Sequence, residues 1–455
     1  MDKRRDIDRE IENMSLLRRI LSIVLIFSSP VFASSETLWL AYLDAVKNDP
    51  VFQQEKATLE SKEQDIPISR SYLLPQLILS ANGGATYQKS MLTGTNNFNS
   101  SQYAVNFSQS IFNFSALNQL KQSKKSVQAA VMLYSAQAQD LMARLVKGYL
   151  AVLQEKDTLR VTRAQEKFTD EFLRKLTIKY NLRFATITEM NQARQQAALV
   201  HSQVINAKIS YIQSLQNLSN ITGIVYPSIA SFSKSFPIRR ITPDHASAWV
   251  TLAKKQNLAL LSAQFDMQAA EAQMSTKKTD FMPTVSGTAS YTDANSLNSS
   301  QDTGDLMQDD VRSSVIGISA SWNFIQGGLT IAELRQARAD YNRAIDVVEQ
   351  RYLEAISNAE NAYVGAMEGI DSIKASRVAE HEGAMGLENT DKGFKAGAQT
   401  IFDLLQAQNR YYSAQEQNIH NFYQYIINTI LLKQAAGTLS PNDIRQLSHY
   451  TETRK

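Results

Sequence analysis

Two carboxylates stand at matching points of a piece that is written twice. Glu189 lies in KYNLRFATITEMNQARQQ, from Lys179, and Asp403 lies in GFKAGAQTIFDLLQAQNR, from Gly393. Setting Tyr180 on Phe394 puts Thr186 on Thr400, Ile187 on Ile401, Glu189 on Asp403, Gln192 on Gln406 and Ala193 on Ala407, an offset of 214 residues. Each acid follows a helix break. A single acid there caps a helix or complements its dipole. Repeated around a symmetry axis, it becomes a ring of negative charge of the kind that sets cation selectivity in pores. Acid–base or metal chemistry is not indicated. His201, His245, His381, His420 and His449 are scattered without ligand spacing, and no phosphate-cradling glycine loop or nucleophile constellation is present. The chain reads as non-enzymatic, with no cofactor.

The elements that hold these acids are also duplicated. YLLPQLILSANGG, from Tyr72, resembles DFMPTVSGTASY, from Asp280, with Pro75 on Pro283 at an offset of 208. Asn113-Phe114 falls on Asn323-Phe324 at 210, and the offset reaches 214 after an insertion around Gln326-Gly327-Gly328. Order is kept while the offset drifts in loops, which marks an old repeat. The expected plan is repeat 1 over 34–223, a linker or equatorial segment over 224–245, repeat 2 over 246–439 and a polar, disordered tail over 440–455.

Composition narrows the address. There are 47 basic and 44 acidic residues, a net charge of +3, so no nucleic acid partner is implied. With no cysteine, disulfides, thiolate metal sites and a lipid-modified N-terminal cysteine are excluded. Arg18-Arg19, the apolar run ILSIVLIFSSPVF and Val31-Phe32-Ala33 read as a signal peptide over 1–33, with the true start at Met1 or Met14. The run is too short to span a bilayer, which takes about 20 residues.

Four strands are expected in two pairs: 76–87 and 102–111, then 284–291 and 315–323. Tyr103, Val105 and Phe107 alternate with Gln102, Asn106 and Ser108, and Ile316, Ile318 and Ala320 alternate with Gly317, Ser319 and Ser321. Uncharged polar residues opposite an apolar row suit a membrane β-strand. Gln88–Ser100 and Thr292–Arg312 read as long polar external loops. Four strands cannot close a barrel, and an open edge in lipid leaves backbone groups unpaired. An ordinary half-buried sheet alternates in the same way, but if these strands lie in a membrane the chain must oligomerise there.

Helix fills the rest. A first helix is expected over 36–70, with a turn near Pro50. Val127, Val131, Tyr134, Ala138, Leu141, Leu145, Gly148 and Val152 recur at steps of four and three, a seam rich in small residues. Long helices are expected over about 120–179 and 334–393. Return helices begin near Glu189 and Asp403, with Thr188 or Thr186 as a cap, and end at Thr222-Gly223 and Gly437-Thr438.

These features resemble the TolC family of outer-membrane efflux ducts over about 35–440. The most specific likeness is in the two hairpin tips, in Trp322-Asn323-Phe324 with Gly327-Gly328, and in Ala435-Ala436-Gly437-Thr438-Leu439. The resemblance implies a membrane β-barrel joined to a long α-helical coiled-coil barrel. Three chains would share twelve strands, as a homotrimer in outer-membrane lipid. It implies a periplasmic adaptor protein and an inner-membrane transporter as partners, and a tip that closes like an iris. By position, Asp403 matches the outer of two constricting aspartates and Gln406 stands at the second. Thr188, Glu189, Phe394 and Gln399 fall on the latch between the hairpins. Arg183, Phe184, Ala185, Gly397 and Ala398 fall on the adaptor-contact tips. Phe394 stands where a hydroxyl-bearing aromatic is expected and Gln399 where an arginine is expected. The latch must then lean on packing or on pairs such as Arg183 or Lys395 with Glu189. The alternative reading is an exported coiled-coil adhesin or structural protein without a conduit. Drug efflux and type I protein secretion are not separated by the sequence.

Overall fold

The computed structural model describes residues 37–90, 94–233, 236–300 and 306–452. The expected signal peptide lies outside them. Three short helices open the described chain: α1 (Leu38–Asn48), α2 (Pro50–Glu63) and α3 (Asp65–Ser71). Pro50 sits at the first position of α2, where its missing N–H is no loss, and the Asp49 carboxylate caps that helix by accepting from Phe52 N at 2.7 Å. The same carboxylate, almost fully buried, meets Arg144 at 3.0 Å and ties α1–α2 to the long helix.

Strands β1 (Gln76–Ser90) and β2 (Gly94–Phe112) follow, then α4 (Phe114–Asn181) and α5 (Ile187–Thr222). After β3 (Ser231–Phe232) the order repeats: α6 (Ala246–Gln256), α7 (Leu258–Thr279), β4 (Thr284–Ser300), β5 (Leu306–Ser321), α8 (Leu329–Lys395) and α9 (Ile401–Ala435). The long helices have 68 and 67 residues, the return helices 36 and 35. At 1.5 Å per residue, α4 and α8 are each about 100 Å long. α4 packs against α5, α7 and α9, and α8 packs against α6, α7 and α9. No described helix is long and apolar enough to cross a membrane.

The four long strands form one antiparallel sheet in the order β1-β2-β4-β5. Its register puts Leu77, Phe107, Ala289 and Ile316 in one row, Leu79, Val105, Tyr291 and Ser314 in the next, and Ala81, Tyr103, Asp293 and Arg312 in a third. Residues facing each other across a ladder share a face. Below the third row, where Arg312 and Asp293 pair at 3.2 Å, that face is apolar apart from Ser314 and Gln109. The other face carries Ser80, Asn106, Gln102, Ser290, Thr292 and Ser313, interrupted by Ile78, Val311 and Val315.

Two expectations are corrected here. The stretches read as long polar loops are largely strand: β1 and β2 pair as far as Ser90 with Gly94, and β4 and β5 as far as Ser299 with Leu306. Residues 91–93 and 301–305 lie outside the described residues. Their apolar residues, such as Phe98 and Leu297, are scattered without alternation, so the sequence pattern does not report the strands that backbone pairing extends. The polar tail is not free either. It forms α10 (Pro441–Ser448) and β6 (Thr451–Glu452). Ser440 and Asp443 make a capping box, Ile444 and Leu447 are buried, and β6 pairs with β3.

The main core gathers Leu38, Leu141, Leu145, Tyr149, Leu218, Ile426 and Ile444 where α1, α4, α5, α9 and α10 meet. Tyr149 donates to Ala230 O at 3.1 Å, anchoring the segment between the repeats.

Candidate functional site: the paired hairpin tips

Each tip is built by the same backbone device. In the first, Phe184 N donates to Lys179 O at 2.8 Å and Arg183 N to Tyr180 O at 2.9 Å. In the second, Ala398 N donates to Gly393 O at 2.8 Å and Gly397 N to Phe394 O at 3.2 Å. This pair of bonds closes a helix end and needs a left-handed residue at the penultimate site. Gly397 takes it with φ 76°, and Arg183, 214 positions earlier, takes it with φ 64°. The five expected adaptor-contact residues, Arg183, Phe184, Ala185, Gly397 and Ala398, therefore make the two turns. Phe184 is 80% exposed.

The return helices start at Ile187 and Ile401, two residues before the expected acids. Their caps are Thr186 and Thr400, each in a capping box. Glu189 Oε2 accepts from Thr186 N at 2.6 Å and Thr186 Oγ1 at 2.9 Å. Asp403 Oδ2 accepts from Thr400 N at 2.9 Å and Thr400 Oγ1 at 2.6 Å. The hydroxyl and N–H of Thr400 hold the Asp403 carboxyl below the usual carboxylate range. Thr188 is exposed and caps nothing, so the choice left open between it and Thr186 falls to Thr186. The expected pairs with Glu189 are not formed within the chain: Lys395 pairs with Asp391, and no described ion pair involves Arg183. Glu189 is spent on its own helix end.

Packing joins the two hairpins instead. Phe394, in the last turn of α8, lies 5.6 Å from Phe172 of α4 between ring centroids. The Lys179 ammonium lies 5.3 Å from the Phe394 ring centroid. Leu176, Ala193 and Ile401 are buried beside these rings, with Leu173, Ala185 and Leu405 against them. Gln399 packs locally on the turn of its own hairpin. Its stem lies over Gly393, where an added Cβ would come within 2.7 Å of its Cγ.

Further from the tip runs a layer of amides that the sequence reading missed. Gln408 Nε2 donates to Thr169 Oγ1 at 2.5 Å, and Asn409 Oδ1 accepts from Gln165 Nε2 at 3.2 Å and Gln196 Nε2 at 2.9 Å. Gln165, Thr169 and Gln408 are buried. This network ties α4, α5 and α9 together. Its sequence signal was Gln165 and Thr169 at a spacing of four, on a stretch that also buries Leu159, Thr162 and Leu176.

The residues expected at the gate and latch sit together at one end of two coupled hairpins, some 100 Å of helix away from a sheet that has one apolar face. A family model described as outer membrane efflux protein matches residues 41–224 and 249–438. The chain belongs to the outer membrane efflux protein family. The two matched stretches correspond to the two repeats, and the segment around β3 falls between them. Among curated relatives, the chain is similar to the outer membrane protein TolC of Vibrio cholerae, 28% identical over 434 residues, covering 92% of this chain and 94% of the relative. It is 26% identical to the TolC of Escherichia coli over 443 residues, covering 95% and 89%. The alkaline protease secretion protein AprF of Pseudomonas aeruginosa is 23% identical over 409 residues, covering 88% and 84%. Among solved structures, the Campylobacter jejuni CmeC outer membrane channel matches with a TM-score of 0.77 at 17% identity, covering 92% of this chain and 90% of that one. This efflux-protein fold is the helical and stranded plan read from the repeat.

Proposed function

We propose that three copies of this chain form an exit duct of the outer membrane, closed at rest by the tips of their hairpins. The chain is an outer-membrane conduit for efflux and secretion, and members of its family are channels rather than enzymes. That sets aside the adhesin reading.

One observation carries the finer proposal. The described sheet has four strands and two unpaired edges, β1 and β5. Its apolar face is open to solvent, with Leu79 75% and Ile316 89% exposed. A four-stranded sheet cannot close, and its edges cannot stand unpaired in lipid. β1 of one copy pairing with β5 of the next removes both edges, and three copies give twelve strands. The apolar rows span about ten residues on β2, β4 and β5, the length of a tilted membrane strand. Lipid contacts that face, and the polar face lines the lumen. The helices extend into the periplasm, where a periplasmic adaptor and an inner-membrane transporter engage the tips and supply the energy that a passive duct lacks. Whether the cargo is small molecules or protein is set by those partners.

Sizing of the purified protein in detergent, with its mass measured, tests the assembly. A trimer that gives low-conductance channels in planar bilayers is expected. A stable monomer overturns it.

A further inference from the structure

Both hairpins open onto one cavity of about 980 Å³, bounded by α4, α5, α8, α9 and β3. Lys156, Arg160 and Arg163 line it from α4 and Arg377 from α8, and its acids are Asp157 and Glu380. Both acids are already bonded. Asp157 accepts from the Tyr423 hydroxyl at 2.8 Å and from Arg160 at 3.1 Å. Glu380 accepts from Gln415 at 3.1 Å and from Asn418 at 2.6 Å. Two of the cations are not bonded: Arg163 and Arg377 are exposed and make no hydrogen bond or ion pair among the described residues. Lys156 spends one of its three donors on Ile229 O, at 3.4 Å. An apolar wall stands beside these charges. The rings of Phe232 and Phe422 are half-buried, with centroids 6.0 Å apart, and Leu153 and Ile419 continue the surface.

We infer that this cavity binds a small amphiphilic anion, its carboxylate, sulfonate or phosphate held by Arg163 and Arg377 and its apolar body laid on Phe232 and Phe422. A guanidinium presents a fork of donors that matches such anions in pairs, and it keeps its charge at every working pH. Four cations face two acids that are already bonded, so the cavity carries uncompensated positive charge. A concave site with an apolar wall and a few convergent polar groups is the usual form of a small-molecule pocket, and the volume lies at the upper end of that class. About 70 Å of helix separates Arg160 from the start of α4 at the sheet. The ligand therefore comes from solution and not from the bilayer. Arg163 belongs to the first hairpin and Arg377 to the second, so a bound anion bridges the two and holds them together. The site is built within one chain and does not depend on the trimer.

Calorimetric titration of the full chain, held in phosphatidylcholine nanodiscs, with 1-naphthalenesulfonate tests this. Saturable binding at one equivalent per chain is expected. The double variant Arg163→Gln, Arg377→Gln should bind at least tenfold more weakly, while its melting temperature without the probe stays at that of wild type, since neither side chain has a partner to lose. 1-Naphthylmethylammonium, which has the same body and the opposite charge, should not bind. Methanesulfonate, which lacks the body, should bind at least tenfold more weakly. The bound probe should slow hydrogen exchange of the α9 amides over 415–423 in wild type and not in the double variant. Equal affinity of wild type and double variant, with exchange over 415–423 unchanged, overturns the site. Equal binding of the ammonium and the sulfonate overturns its selectivity for anions. Equal binding of the two sulfonates overturns the role of the aromatic wall and leaves only surface charge. Absence of saturable binding overturns the whole inference.

Discussion

Phe394 of the second hairpin meets Phe172 of the first at 5.6 Å between ring centroids, with Lys179 5.3 Å from the Phe394 centroid. The ring stands where the resemblance calls for a hydroxyl, and it joins the hairpins by area and quadrupole. An aromatic pair of this kind contributes about 0.5–1.5 kcal/mol beyond burial, and a partly exposed cation over a ring about 0.5–1 kcal/mol. Phe394→Ala should loosen the tip, raise resting conductance and speed hydrogen exchange of the α9 amides near Thr400. Phe394→Tyr should do neither. Equal exchange in wild type and Phe394→Ala would mean that the rings touch without holding.

The order of elements, the four strands and the matching tips were legible in the sequence because each has a period or a repeat behind it. What was not legible lacked that kind of signal. Gly94–Ser101 holds Phe98 as its one large apolar residue and shows no alternation, so it reads as loop although it pairs along a ladder. Pro441–Ser448 offers only Ile444 and Leu447 as apolar residues, and their burial depends on α1 and α4 being alongside. The capping role of Asp403 was legible in principle, because Thr400-x-x-Asp403 is a capping-box spacing. A carboxylate's chemical type says that it could ring a pore. Its hydrogen bonds say where its charge rests.

The first tip carries strain that the second avoids. Arg183 holds φ 64° where Gly397 holds φ 76° at the equivalent turn. A left-handed L-residue costs about 1–2 kcal/mol. Arg183→Gly should relieve most of that, giving a higher melting temperature. Arg183→Ala keeps the backbone cost and should leave stability near wild type. If Arg183→Gly is more stable yet export falls, the side chain is needed by a partner, and the strain is retained for that contact. If Arg183→Gly is no more stable than Arg183→Ala, the strain argument fails.

The polar ends of the sheet should be dispensable. Asn295 pairs with Asp310 above the row of Asp293 and Arg312, where the apolar face has already ended. Replacing 296–309 by Asn-Gly leaves those partners joined by a two-residue hairpin turn of favoured type. Trimer formation and export should survive. Moving the cut down, so that Ala289 to Ile316 is lost, removes lipid-facing rungs and should abolish insertion. Failure of the shorter excision to assemble would show that the upper ladder holds the copies together.

Glu155 of α4 and Glu416 of α9 set a pH dependence in the seam between the hairpins. Burial raises both above the usual carboxylate value, and for Glu416 the neighbouring Glu155 charge adds to it. A raised carboxyl favours the protonated fold. Its contribution is present below the unfolded value and is lost as pH rises through the folded one. The seam should therefore be tighter in mild acid than at neutral pH. The melting temperature should fall between pH 4 and pH 7 by more in the wild type than in Glu416→Gln, and the variant should be the more stable of the two at pH 7. The amide keeps the shape and carries no charge, so it removes both the burial cost and the repulsion from Glu155. The Asp403 caps run the other way, since a lowered carboxyl weakens the tip only when pH falls beneath the usual carboxylate range. The two effects separate by position: exchange near Thr400 reports the cap, and exchange along 408–420 reports the seam. An identical pH profile for the wild type and Glu416→Gln would show that these two carboxylates are solvated and do not couple the hairpins.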